Sequence, residues 1–143
     1  MKFASKLAAT ALVAVSLMFT GCGEGQVGCV DKSKVMTDSP RAKTATEEAK
    51  AEVDKILAAF DEKYPNQSEM SEEDAAKAQL ELQRDLQKVQ QKFSAQLESR
   101  FTVVVAEVAN EKNIDVVIEN SADQKLLHHG GIDITADVIK KMQ

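Results

Sequence analysis

Small and apolar residues recur at steps of three and four over residues 40–64, which is the spacing of an amphipathic helix. The series consists of Ala42, Ala45, Ala49, Val53, Ile56, Phe60 and Tyr64. Ser39 followed by Pro40 is typical of a helix start, because serine caps free backbone amides and proline fits the first turn. Pro65 lacks an amide hydrogen and disfavours a helical residue before it, so we expect the helix to end near Tyr64.

A second stripe with the same spacing follows Ser71, which we expect to cap a helix whose first turn is acidic. It consists of Leu82, Leu86, Val89, Phe93, Leu97, Phe101, Val104 and Val108. Residues 110–113 end it, because asparagine tolerates the left-handed conformation that closes a helix. Helices of about 25 and 42 residues would measure about 37 and 63 Å. Residues 39–112 are therefore predicted to form an antiparallel coiled-coil hairpin with its tip near 64–70. Its contact stripe includes Val53, Ile56, Phe60, Leu86, Phe93, Leu97 and Phe101.

Short β-rich runs flank this hairpin, at residues 27–30 before it and 114–118 after it. Because a helix separates the two runs, they can pair in parallel. We also expect a third strand over 125–128, an extended segment over 132–134, and a last helix over 136–142 capped by Thr135.

The predicted fold is thus α+β, a long helical hairpin projecting from a small α/β base formed by residues 22–38 and 113–143. Such a small sheet is marginal alone, so we expect copies of the chain to complete it through Val27, Val30, Val116, Ile118 and Ile134.

The first residues have the layout of an export signal. Lys2 and Lys6 precede an uncharged run over 7–19 that is too short to span a bilayer, so we expect residues 1–21 to be removed. Residues 19–22, Phe-Thr-Gly-Cys, resemble the lipobox of bacterial lipoproteins, which implies that Cys22 receives a lipid and anchors the protein. The alternative is a disulfide between Cys22 and Cys29 in an ordinary secreted protein, although it would close only a short loop. With Cys22 lipidated, Cys29 is expected to be a small buried side chain.

Charge and composition narrow the classes of function. The formal net charge is −5, and removal of Lys2 and Lys6 would make it −7. No basic patch remains for nucleic acid. The chain contains no tryptophan and few other aromatic residues, which favours long helices packed against each other over a compact globule.

Candidate catalytic and metal-binding residues are few. His128 and His129 are adjacent, but neighbours on a strand point to opposite faces and would not bind one ion easily. Asp31, Asp115 and Asp133 can be considered as an acid/base set, yet the sequence supplies no nucleophile, oxyanion donor or pocket beside them. We therefore expect no catalytic residue, no metal ion and no cofactor.

Short motifs stand at both ends of the predicted hairpin. Before it lies VGCVD, followed by KVM and SP, and after it lie NEKNIDVVI and then IDIT followed by VIKK. In this order they resemble the "G-x-V-D-x-x-K-V…S", the "KEKGYDLV" and the closing "DIT-x-x-V-I-K" of the Skp/OmpH family of periplasmic chaperones. The motifs occur in the same order and span the whole mature chain.

The resemblance implies a homotrimer whose bases associate and whose hairpins surround a cavity. Such trimers hold unfolded outer-membrane β-barrel proteins in the periplasm without any cofactor. The hairpin of this chain has an acidic excess where the soluble members of the family are strongly basic, so capture of clients by positive charge does not carry over. The alternative function is a structural coiled-coil lipoprotein that acts as a spacer or tether in the envelope. A spacer would cover its apolar stripe with its own helices, whereas a chaperone would leave apolar residues facing a cavity.

Overall fold

The computed structural model describes residues 25–143, so the predicted signal segment and Cys22 lie outside the described residues. The chain is mostly helical with one small parallel sheet, which agrees with the predicted α+β class. Its helices are α1 (Lys32–Asp38), α2 (Pro40–Lys63), α3 (Glu72–Glu111) and α4 (Thr135–Lys141), and its strands are β1 (Val27–Val30), β2 (Val116–Glu119) and β3 (Ile132–Asp133). A single 3₁₀ turn, Gln67–Glu69, lies between α2 and α3.

The two long helices begin where the sequence predicts. The Ser39 hydroxyl accepts a hydrogen bond from the Ala42 amide, and Pro40 occupies the first turn of α2. The Ser71 hydroxyl accepts from the Asp74 amide at the start of α3. These serines satisfy amides that have no partner within the helix. The helices contain 24 and 40 residues, close to the predicted lengths.

α2 and α3 pack against each other in opposite directions. Lys63 near the end of α2 contacts Glu81 near the start of α3 at 2.6 Å. Glu52, earlier in α2, contacts Lys92, later in α3, at 2.5 Å. Between the helices lies a small apolar cluster of three buried residues and four partly buried ones, consisting of Ala45, Val89 and Phe93 with Ala49, Val53, Ile56 and Leu97.

The end of α3 sets the direction of the chain into the sheet. Asn113 has a positive φ of 56°, the left-handed conformation predicted from its type. The Ile114 amide donates to the Ala109 carbonyl at 2.9 Å, and the Asn113 amide donates to the Asn110 carbonyl at 3.3 Å. This pair of hydrogen bonds is a Schellman motif, which ends the helix and turns the chain. Ile114 is thereby buried in the core just before β2 begins.

The three strands lie in the order β2-β1-β3, and both pairings are parallel. For β1 and β2 this is the arrangement that the intervening helices leave open. Gly28 in the central strand packs closely against Ile114, because a Cβ at Gly28 would lie 3.1 Å from the Ile114 Cγ2 and would require that side chain to shift. The prediction of a strand over 125–128 is wrong, and the third strand is Ile132–Asp133. Residues 120–131 instead form a loop from β2 to β3, in which the Leu127 amide donates to the Asn120 side chain at 2.9 Å.

The short helices flank the sheet. α1, whose N-cap is Asp31, is an element that the sequence pattern did not predict. Thr135 does not cap α4 with its side chain as predicted. Its hydroxyl accepts from the Asp31 amide at 2.9 Å, and its own amide donates to the Asp133 carboxylate at 2.9 Å.

One core joins the sheet, the short helices and the last turns of α3. Its buried residues are mostly branched aliphatics, and they are Val30, Val35, Phe101, Val104, Val108, Ala109, Ile114, Ile134, Val138 and Met142. The C-terminal quarter of α3 therefore belongs physically to the base, while its remaining turns pack against α2 or face solvent.

Candidate functional site

The sheet has one face on the core and one face turned away from it. Gly28 and Val30 alternate with Val27 and Cys29 along β1, and paired residues of parallel strands share a face. Val30 is buried in the core, so Val27 and Cys29 lie on the outer face. Val116 pairs with Val27, and Ile118 pairs with Cys29, which places both on that face. We call Val27, Cys29, Val116 and Ile118 the outer sheet face.

The outer sheet face remains partly open to solvent. Val116 is 55% exposed and Val27 is 36% exposed, while Cys29 and Ile118 are half-buried. Within residues 25–143, β2 pairs only with β1 and leaves its second edge unpaired. An apolar face beside an open strand edge is a surface on which another chain can pack or pair.

The five predicted base residues therefore divide into two groups. Val30 and Ile134 are buried within the chain and stabilise its own core. Val27, Val116 and Ile118 lie on the outer sheet face, where they are available for contacts between copies. The participation of all five in oligomerisation stays a prediction.

The predicted stripe residues follow the contact between α2 and α3, with one end in the base. Phe93 is buried between the helices, and most of the others are half-buried, namely Val53, Ile56, Phe60, Leu86 and Leu97. Phe101 is buried in the base core rather than between the two helices. Along α3, the stripe therefore packs first against α2 and then, at Phe101, against the base core.

Three large apolar residues on the long helices are exposed, namely Leu57 (40%), Leu80 (56%) and Val103 (47%). Each lies off the predicted stripe, so the periodic pattern does not single it out. Leu57 follows Ile56, Val103 precedes Val104, and Leu80 stands between Gln79 and Glu81. Single exposed apolar residues are common on any protein.

Ion pairs link the surfaces of the two long helices. The Lys63 amine lies 2.6 Å from the Glu81 carboxylate, which also accepts from the Tyr64 hydroxyl at 2.9 Å. These hydrogen bonds, from Lys63 first and Tyr64 second, lower the pKa of Glu81, and the same carboxylate raises the pKa of Lys63. All these groups are solvent-exposed, so they fix the relative position of the helices more than they stabilise the fold.

The three aspartates considered as an acid/base set each have a structural contact. Asp31 accepts from the Lys34 amide at 2.9 Å, and Asp115 accepts from the Gln26 amide at 2.8 Å. Hydrogen bonds from the hydroxyl and backbone amide of Thr135 hold the pKa of Asp133 below its usual value. Asp31 and Asp133 share a small cavity at the carboxyl ends of β1 and β3, whereas Asp115 lies at the opposite end of the sheet.

Cys29 lines the same cavity. Burial, and secondly the nearby Asp133 carboxylate, raise the pKa of its thiol. A thiol with a raised pKa is a poor nucleophile at neutral pH. Its pairing with Cys22 and the lipidation of Cys22 stay predictions, because Cys22 lies outside the described residues.

His128 and His129 are both exposed in the loop between β2 and β3. Across residues 25–143, no three or more side chains of His, Cys, Asp and Glu come together in a way that could hold a metal ion. A cleft of about 690 Å³ lies between α3 and α4. Two ion pairs lie in its lining, because Lys112 contacts Asp137 at 2.9 Å and Lys141 contacts Glu111 at 2.5 Å.

Comparison with known proteins gives one match. The family model described as "Outer membrane protein (OmpH-like)" matches residues 66–142, which is more than half of the chain. A search of curated proteins finds no match. In the part of the chain from residue 25 onward, none of the helices has the length and apolar character needed to cross a membrane.

Proposed function

Because the chain belongs to the OmpH-like outer membrane protein family, we propose that it is an ATP-independent holdase that binds unfolded outer-membrane β-barrel proteins in the periplasm. Membership supports a chaperone-type role in the periplasm and an association with outer-membrane proteins. The family is one of chaperones and not of enzymes. The holding mechanism, the trimer and the lipid anchor are our proposals.

The observation that carries the proposal is the incomplete covering of apolar residues on the long helices. Val53, Ile56 and Phe60 are only half-buried although α2 and α3 are packed together. Leu57 and Leu80 are exposed. Unfolded β-barrel precursors expose alternating apolar residues that aggregate in water. Many weak contacts with such residues, summed over several arms, hold a client without a deep pocket.

We propose that α2 and α3 form the coiled-coil hairpin arm of each subunit, spanning residues 39–112 with its tip near 64–70. Residues 22–38 and 113–143 then make up the base. The last turns of α3 serve both parts, since Val104 and Val108 are fully buried in the base core.

We propose that three copies associate through the outer sheet face. Val116 and Val27 supply apolar surface there, and the open edge of β2 supplies unpaired backbone groups. Burying both would remove an exposed strand edge, which natural proteins generally cover. The arms of a trimer would then project from one end and surround a shared space.

We also propose that a lipid on Cys22 tethers the base to a membrane, with the body of the protein in the periplasm. Cys22 precedes β1 by only a few residues, so the base would lie close to the bilayer. Mass spectrometry of the mature N-terminus tests this, because an acylated Cys22 supports the anchor. An unmodified Cys22, a disulfide to Cys29, or a different first residue would remove it.

The second candidate function is a coiled-coil spacer between the membrane and another envelope component. Close packing by Ala42 and Ala45, which are both buried, is compatible with it. A spacer does not need the exposed apolar residues of the arms, whereas a holdase does.

The proposed function is tested with the protein as the host cell exports and processes it. An unfolded outer-membrane β-barrel protein is diluted from urea in the presence and absence of the chain, and aggregation is followed by light scattering. A holdase suppresses aggregation without ATP at a stoichiometry of about three chains per client. Unaltered aggregation would favour the spacer.

Val116→Asp tests the base. Val116 is exposed in the single chain, so the change should leave the fold intact, yet a carboxylate buried between subunits would have no partner. We expect the mass in solution to fall from that of a trimer to that of a monomer. Leu80→Asp is the matched control, because Leu80 is similarly exposed but lies near the start of α3, away from the base, and this variant should stay trimeric. An unchanged mass for Val116→Asp would contradict the placement of the interface.

A further inference from the structure

The middle of α3 keeps its charged residues on one side. Between residues 78 and 91 the only charged side chains are Glu81, Arg84, Asp85 and Lys88. At 3.6 residues per turn these four fall on a single side of the helix. The opposite side is uncharged for nearly four turns and carries glutamines and leucines. We call this surface the glutamine strip, and it consists of Gln79, Leu82, Gln83, Leu86, Gln87 and Gln90.

The glutamine strip lines a shallow groove of about 590 Å³ beside the contact with α2. Its four glutamines are exposed, while Leu82 and Leu86 are half-buried. Among the hydrogen bonds of residues 25–143, none engages the side-chain amides of these glutamines. The strip therefore presents apolar side chains together with polar amides that are free to bind a partner.

The absence of charge excludes several partners for the strip. A phosphate or another anion would find no cation among these six residues, and a basic segment would find no carboxylate. A partner with complementary chemistry carries no net charge and presents a row of polar groups next to apolar side chains. An extended polypeptide has this character, because its backbone carries no net charge and its side chains alternate between two sides.

The spacing of the glutamines also matches an extended chain. Gln79, Gln83 and Gln87 are four residues apart, which is about 6 Å along a helix. Backbone groups on one edge of a strand repeat every two residues, or about 6.6–6.8 Å. A primary amide both donates and accepts hydrogen bonds, so each glutamine can pair with an N–H and a C=O of that edge. The long side chain absorbs the small difference between the two repeats.

We propose that the glutamine strip binds the edge of an extended client segment through hydrogen bonds to its backbone, while Leu82 and Leu86 contact its apolar side chains. This inference rests on the proposed holdase function and narrows its substrate class to neutral, strand-forming segments of β-barrel precursors. Backbone recognition of this kind is independent of client sequence, as a chaperone for many β-barrels requires.

The test uses tryptophan fluorescence, because the chain contains no tryptophan and the client signal has no background. The probe is a ten-residue, neutral peptide of alternating Val and Thr with one Trp. Gln83→Leu combined with Gln87→Leu removes two amides while keeping side-chain size and helix propensity. We expect affinity to fall about tenfold, the equivalent of two hydrogen bonds. Gln96→Leu with Gln124→Leu is the control, because both glutamines are exposed and lie outside the strip and outside the i, i+4 row of Gln79, Gln83 and Gln87, and this variant should bind as the unchanged protein does.

A second probe separates backbone from side-chain contacts. The same peptide, N-methylated at alternate residues, cannot donate hydrogen bonds from one edge. We expect it to bind the unchanged protein about tenfold more weakly than the parent peptide does. The Gln83/Gln87 double variant keeps only Gln79 and Gln90 in the strip, so it should show a clearly smaller difference between the two peptides. Circular dichroism and solution mass should be the same for all variants.

The outcomes distinguish this inference from the function on which it rests. The proposal that the strip binds the client backbone would be overturned if the Gln83/Gln87 variant binds the peptide more tightly. It would also be overturned if the unchanged protein binds both peptides equally. Suppression of aggregation by the unchanged protein would then leave the holdase function standing. If the unchanged protein neither binds the peptide nor suppresses aggregation of the client, both the role of the glutamine strip and the holdase function are overturned.

Discussion

The base and the arm of this chain bury apolar residues in opposite ways. In the base, Val35, Val104, Ile134 and Val138 are fully buried in one cluster, to which strands and helices both contribute residues. Between α2 and α3, the buried residues are small apart from Val89 and Phe93, and these two are each still 7% exposed. The rest of the arm's apolar stripe stays half-exposed. The difference indicates that most of the stabilising burial lies around the sheet, while α2 and α3 leave part of their apolar surface exposed.

The largest expected effect comes from the same change made in the two regions. Phe101→Ala removes a buried ring from the base core and should lower the free energy of unfolding by about 3–5 kcal/mol. Phe60→Ala removes a half-exposed ring of the arm that contacts Tyr64 at 5.0 Å between centroids, and it should cost only about 1 kcal/mol. Urea unfolding followed by circular dichroism measures both. Equal losses would contradict the division between base and arm.

A smaller effect is expected where arm and base join. Asn113 has a φ of 56°, which a β-branched residue adopts with difficulty, so Asn113→Val should lower the free energy of unfolding by about 1–2 kcal/mol. Asn113→Gly keeps the conformation without strain and serves as the control, with a change of about 0.5 kcal/mol or less. The same unfolding curves report the difference. If both variants unfold alike, the helix end does not depend on this conformation.

The smallest effect concerns the pH dependence of the base. Hydrogen bonds from Thr135 lower the pKa of Asp133 in the folded protein. The carboxylate therefore stabilises the fold above its ordinary pKa, and that contribution is lost as the pH falls through the lower folded pKa. Asp133→Ala should cost roughly 0.5–1 kcal/mol at pH 7, at the lower end for a capping carboxylate because the residue is exposed.

The control for this variant is the pH profile itself. Thermal unfolding between pH 7 and 3 should show the difference between Asp133→Ala and the unchanged protein shrinking as the solution becomes acid. Asp133→Asn, which keeps an acceptor oxygen for the Thr135 amide, should lie between the two at pH 7. A difference that grows toward low pH would show the opposite sign of linkage.

Most of the correct sequence predictions rest on local rules for how a helix begins and ends. Ser39, Pro40, Ser71 and Asn113 act through their own backbone neighbours, so their positions in the sequence were enough to place both long helices. The parallel pairing of the first two strands followed from the helices between them.

The errors lie where distant residues decide the structure. The run at 125–128 contains two adjacent leucines, as a short buried strand can, but it lies in the loop between β2 and β3 with its Leu127 amide bonded to the Asn120 side chain. Thr135 looks like a helix cap, yet its hydroxyl bonds to the Asp31 amide, which is 104 residues away in sequence. No pattern of neighbouring residues predicts a contact between residues so far apart in the sequence.

The candidate surfaces could be predicted only in part for the same reason. Alternation along β1 predicts that Val27 and Val30 face opposite sides, but only the packing of α1, α3 and α4 shows which side is the core. The glutamine strip is visible in the sequence as a gap in the charges of α3. Its position beside α2, and therefore its exposure, required the structure.

The most direct measurement is native mass spectrometry of the processed protein mixed with one unfolded outer-membrane β-barrel protein. A base that assembles through the outer sheet face and arms that hold a client predict a complex of three chains with one client, in the absence of ATP. A spectrum containing only single chains and free client would contradict both the shared base and the holding arms.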